Sequence, residues 1–171
     1  MRRLSSTVFS LCLAFCFSLA LAPAACKRKP KPRLATIPTF VNVSSIVNMN
    51  DPDTADQLLG GFYQVEDNRW RWAAPKFSVA LRPKGNHLVL KFNIPEALLQ
   101  QGPATLSASA ADQPLPPQTY TSPGNQTYER DIPITTGNVV VNFECNRKLA
   151  PTNGDTRELA LIVVSVSLSE P

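Results

Sequence analysis

The sequence holds a single histidine and only four cysteines among 171 residues, and both shortages exclude chemistry. One histidine and so few thiols leave no cluster at zinc-ligand spacing, and neither a glycine-rich phosphate loop nor a Gly-x-Ser-x-Gly elbow is present. His87 follows Gly85-Asn86 at a turn-to-strand boundary, where a solvated side chain is the ordinary expectation. A Ser/His/Asp set built around it would lack any local signature. Glu66, Glu96, Glu129 and Glu144 are available as paired carboxylates for glycoside hydrolysis, but long active-site loops and a second domain are missing. The chain therefore reads as one without catalytic residues, cofactor or metal site.

A long apolar span is also missing. The run over residues 8–22 is shorter than the roughly 20 residues that cross a bilayer as a helix, and Pro23 closes it. Arg2 and Arg3 precede the run and small residues follow it, which is the three-part plan of a secretory signal over residues 1–25. Cys26, placed after Ala24-Ala25, resembles the acylated cysteine of a bacterial lipobox, although Pro23 departs from the aliphatic or small residue usual at that position. Ordinary cleavage after Ala24 or Ala25 is the alternative. Once the leader is removed, only Cys26 and Cys145 remain, so no disulfide framework is expected although an exported protein would be permitted one. Cys145 ends the apolar stretch over residues 139–145 and reads as a packed, inert thiol.

Seventeen basic against 13 acidic residues suggest a basic protein, but the charge is unevenly spread. Seven of the basic residues are Arg2, Arg3, Lys27, Arg28, Lys29, Lys31 and Arg33, so the ten beyond them face all 13 acidic residues and the domain is mildly acidic. A nucleic-acid partner is disfavoured, because the basic footprint lies in a tail. Residues 26–34 alternate cations with proline and form an extended tether. Beside a lipidated Cys26 it would lie against anionic headgroups, where each cation adds about 1 kcal/mol; otherwise it is a solvated spacer. The expected place is the cell envelope, on the outer membrane or its periplasmic face, with the membrane as one partner and a glycan or envelope protein as another.

Residues 35–171 suffice for one domain with a core of its own. Strand patterns occur at 39–49, 77–81, 87–94, 105–110, 128–134, 138–143 and 159–168. Turn signals fall at 50–53, 83–86, 114–117, 122–125 and 153–155. Helix is confined to residues 53–59, with Asp53 as N-cap, and 95–101, which starts on proline. Short strands without long intervening helices predict an all-β, antiparallel sandwich with one or two short helices.

Gly61-Phe62-Tyr63-Gln64-Val65-Glu66 followed by Arg69-Trp70-Arg71-Trp72, and Pro151 followed by Asp155-Thr156-Arg157-Glu158-Leu159, form two ordered motifs. Together they resemble the "GFY…E…RW" and "P…D-x-R-x-L" elements of small jelly-roll-like domains found in bacterial proteins and appended to some glycosyltransferases. The resemblance implies a jelly-roll-like sandwich with the architecture of a carbohydrate-binding module. This chain differs in following a lipobox instead of a transferase domain.

Trp70 and Trp72 share strand parity and face one side, with Arg69 and Arg71 on the other. One reading makes the tryptophans and Tyr63 a stacking platform for sugar rings, with Glu66 and Arg69 bonding hydroxyls; the other packs one or both indoles in the core. Glu66 and Asp155 are equally able to pair with Arg157 or Arg69, tying the first motif to the loop before the last strand.

Overall fold

The computed structural model describes residues 43–133, 136–152 and 154–170. The leader, Cys26, the tether, residues 39–42 and Ile134 lie outside the described residues.

Strand periodicity governs what is seen. The segment His87–Ile94 alternates half-buried or exposed with buried positions along its length, burying Leu88, Leu90, Phe92 and Ile94. The strands are β1 (Ile46–Asn48), β2 (Leu58–Glu66), β3 (Trp70–Leu81), β4 (His87–Ile94), β5 (Ala104–Ala110), β6 (Gln113–Tyr120), β7 (Gly124–Asp131), β8 (Val139–Cys145) and β9 (Leu161–Ser169). All their pairings are antiparallel.

The organising element is β3. Its first part, Arg71 to Ala73, pairs with β9, whereas Lys76 to Leu81 pair with β8. Between the two parts stands Pro75, which has no N–H to give to a ladder and so marks the change of partner. Opposite this corner, β2 accompanies β3 with register shifts around Gly60 and Phe62. Gly61 sits there at φ +78°, and a β-carbon on it would fall 2.1 Å from the Lys76 carbonyl oxygen, so only glycine fits.

Counting the halves of β3 separately, one sheet runs β3–β9–β4–β7 and the other β3–β8–β5–β6. From β4 onward the chain crosses between them at every connection except the β5–β6 hairpin, the pattern of an eight-stranded jelly roll with its first two strands fused into one bent ribbon. The fold is an all-β antiparallel sandwich. Its core is filled from both sheets: Phe77 stacks on Phe143 at 5.0 Å, Tyr128 meets Phe143 edge-on at 6.3 Å, and Phe92 meets Tyr120 edge-on at 5.3 Å.

The free edges of the two sheets meet at β6 and β7, and side chains close the seam. Tyr128 donates its hydroxyl to the Pro116 carbonyl at 2.9 Å, and Tyr120 donates to the Thr127 carbonyl at 3.0 Å. Arg130 lies 4.5 Å over the Tyr128 ring and donates to the Pro116 carbonyl and the Gln118 amide oxygen. Burial raises both phenol pKa values above the ordinary tyrosine range, with Arg130 opposing in part. Prolines 114, 116 and 117 blunt the β6 edge, since none carries an N–H to recruit another strand.

Several local expectations are corrected. Residues 114–117 are not a turn but the middle of β6; the reversal lies just upstream, where Ala111 and Asp112 take φ of +48° and +60° as a primed hairpin turn. Proline density resembles a loop when it is in fact the signature of an edge strand. Residues 53–59 form only a 3₁₀ turn, Pro52–Gln57, capped by Asp51 and not Asp53, and Leu58 already belongs to β2. Gln57 is buried there, its side chain accepting from Ser44 N and donating to the Ala80 carbonyl. The second helix is one turn, α1 (Glu96–Leu99), with Leu98 buried beneath it. In the described part of the first expected strand, only Ile46–Asn48 pair. Strand β7 begins four residues before the expected start and ends at Asp131.

Candidate functional site

Both sequence motifs converge at one end of the sandwich. The β2–β3 hairpin closes through Asp67 and Asn68, both at φ +50°, a primed turn that matches the strand twist. Glu66 and Trp70 face each other across its last rung. Behind the hairpin lies the loop before β9, fastened by the Ala160 N–H donating to the Ala73 carbonyl at 2.8 Å.

Four of the candidate ligand residues bind one another. Arg157 donates to Glu66 at 2.9 Å and to both oxygens of Asp155 at 2.8 to 3.2 Å. The guanidinium lies 5.3 Å over the Tyr63 ring, while the Tyr63 hydroxyl donates to the Glu158 carbonyl and accepts from the Glu158 N–H. The Arg157 side-chain hydrogen bonds lower the Asp155 pKa to about 2, and Asp155 and then Glu66 make Arg157 harder to deprotonate. This cluster clamps the hairpin to the loop before β9. Each of its charged groups has at least one partner within the cluster, which makes it a brace at the base of the hairpin. Arg69 is exposed in the turn and makes no ion pair among the described residues. Arg71 turns inward and donates to the carbonyls of Met49 and Tyr63.

Trp70 and Trp72 belong neither to the core nor to a coplanar platform. Both are half-buried on the outer face of the β3–β9–β4–β7 sheet, edge-to-face at 6.0 Å and 87°. The register extends that face across four strands: Trp72 opposes Ile162, Ile162 opposes Asn93, and Asn93 opposes Asn125. Next to this row lie Val164, 41% exposed, then Lys91 and Thr127. Asn93 donates to the Asn125 amide oxygen at 3.1 Å. The face is thus aromatic and aliphatic at one end and amide, hydroxyl and ammonium at the other, and it opens into a 280 Å³ recess lined by Lys91, Gln126 and Val164. The outward positions of β4 were readable from its alternation. Their alignment with Trp72 through β9 was not, because it depends on which strands pair.

His87 pairs with Asp131 at 2.9 Å, and its other ring nitrogen lies 3.9 Å from Glu129. Both nitrogens thus turn toward β7, while Ser169, opposite His87 on β9, donates its hydroxyl to the Glu170 carbonyl. Among the described residues no group of three His, Cys, Asp or Glu side chains could hold a metal ion. Cys145 is buried, and burial raises its pKa.

Fold and face together define an all-β jelly-roll domain with an open, partly aromatic outer sheet. No family model matches the chain, and no curated protein matches its sequence. Among solved structures it is similar to the family 35 carbohydrate-binding module from Clostridium thermocellum, with TM-score 0.45 and 14% identity over 76% of this chain and 99% of that one. It is also similar to an acetyl xylan esterase from the rumen bacterium Butyrivibrio proteoclasticus, with TM-score 0.45 and 14% identity over 74% of this chain. The chain spans 32% of that esterase's length.

Proposed function

We propose that this is an exported protein, anchored in the envelope through acylated Cys26, whose jelly-roll domain binds a glycan without catalysis across the Trp70–Trp72 face. The observation that carries the reading is the row Trp72–Ile162–Asn93–Asn125 on the outside of one sheet. Apolar ring and aliphatic surface suit the C–H faces of sugars, and amides supply the paired donors and acceptors that hydroxyls need. Four strands span about 14 Å at the usual interstrand spacing, room for a short oligosaccharide.

Trp70 and Trp72 are the chain's two tryptophans, so selectively excited tryptophan fluorescence reports on this face alone. Titration with a panel of neutral and acidic oligosaccharides is expected to shift or quench emission for at least one member. Trp72→Ala should weaken that binding about tenfold, or roughly 1.4 kcal/mol. An unchanged spectrum across the panel, or full affinity in Trp72→Ala, rules the face out. The anchor is tested separately: intact mass of the mature protein should start at a diacylated or triacylated Cys26, and Cys26→Ser should lose the lipid.

A second reading places an envelope protein on the same face, favoured by the exposure of Val164 beside the indoles. It predicts a fluorescence change on mixing with envelope extract that no oligosaccharide reproduces.

A further inference from the structure

The opposite outer sheet carries a second, differently built recess. On β3–β8–β5, Ser78 opposes Asn142, which opposes Ser109; one rung along, Lys76 opposes Glu144, which opposes Ser107. These six outward residues floor an open trench of about 500 Å³, within the range of small-ligand sites. Its end wall is the bulged backbone of Gly60 and Gly61, where the missing side chains leave the trench unroofed.

The chemistry of the trench is specific. Among the described residues, Ser78, Ser107, Ser109 and Asn142 make no side-chain hydrogen bond within the protein, whereas the Tyr120 and Tyr128 hydroxyls and the Gln118 amide at the β6–β7 seam are all bonded. Hydroxyls and an amide both donate and accept, which matches a ligand whose groups do the same. The one cation, Lys76, lies 3.1 Å from Glu144, so the trench offers no net charge to an anion. No aromatic side chain projects into it from these outward positions, so its ligand is held by hydrogen bonds instead of stacking.

We infer that this serine–asparagine trench is a second binding site, for a neutral, hydroxyl-rich chain such as an uncharged oligosaccharide, separate from the tryptophan face. Two sites on opposite sheets would let one tethered domain hold two glycan segments at once. The inference shares its ligand class with the proposed function but not its residues, so the two can fail independently.

The test is amide NMR mapping on the full chain carrying Cys26→Ser, with cellohexaose, xylohexaose and hexa-N-acetylchitohexaose as probes and hexagalacturonic acid as the charged comparison. In a Trp70→Ala/Trp72→Ala background, at least one neutral probe should shift the amides of Ser78, Ser109 and Asn142. Asn142→Trp, which fills the centre of the trench from an outward position, should weaken that binding at least tenfold. Gly60→Leu provides an independent block, since a β-carbon there lies an unstrained 4.0 Å from Ser78 Oγ. Shifts confined to the tryptophan face of the parent chain overturn the trench and leave the proposed function standing. Shifts at neither face overturn both. Tighter binding of hexagalacturonic acid than of every neutral probe overturns the assigned ligand class.

Discussion

The two outer faces of the jelly roll belong to one ribbon, β3, yet they are made in opposite ways. Before Pro75 the strand presents Trp70 and Trp72, and surface character comes from large side chains standing on regular backbone. After Pro75 it presents Lys76 and Ser78 beside the Gly60–Gly61 bulge, and the recess comes from backbone shape and small side chains. A face made of side chains can lose one and keep its fold. A face made by a bulge cannot lose the glycine at its strained position, Gly61, without disturbing the corner that holds both sheets.

Substitution at that glycine should show the contrast most strongly. Gly61→Ala puts a β-carbon against the Lys76 carbonyl at a φ disfavoured for other residues, and should cost about 3 kcal/mol or more in urea unfolding. A loss no larger than that of an ordinary surface substitution would mean that the bulge relaxes freely. Tyr128→Phe probes the seam where the two sheets meet. It removes one hydrogen bond, but the Pro116 carbonyl keeps its Arg130 partner, so about 1 kcal/mol is expected from the same measurement. Ala111→Gly should act in the other direction, adding about 0.5 kcal/mol by relieving a positive φ in the β5–β6 turn.

The smallest effect is on pH dependence and concerns the brace behind the tryptophan face. Asp155 has a folded pKa near 2, below the unfolded value of about 4. Its contribution is therefore present above about pH 4 and is lost as pH falls through 2. Asp155→Asn should flatten the acid limb of stability between those values while leaving neutral-pH binding to the tryptophan face unchanged. An unaltered acid limb would show that the Arg157 pairing does not differ between folded and unfolded chains.

The strands most visible in the sequence, β4, β5 and β8, are those whose one-face burial writes a period of two into the residues. Hidden were β2, whose glycines break the pattern, and β6, whose prolines imitate a turn. The candidate site was half legible. The shared face of Trp70 and Trp72 follows from parity, whereas Ile162, Val164, Asn93 and Asn125 lie on other strands and gain meaning only when β9 and β4 are set beside β3. Tyr63, Glu66, Asp155 and Arg157 were recognisable as polar and able to pair, but the contacts that make them a brace depend on the hairpin and the loop before β9 being folded together.

By itself the sequence determined an all-β domain with the alternation, turns and charge distribution of a sandwich behind a basic tail, because those properties are local and each strand carries them alone. Tertiary structure decided where β3 bends, which strands neighbour it and which outward residues meet, because strand pairing is a long-range choice fixed by one glycine, one proline and the packing of Phe77, Tyr128 and Phe143 between the sheets.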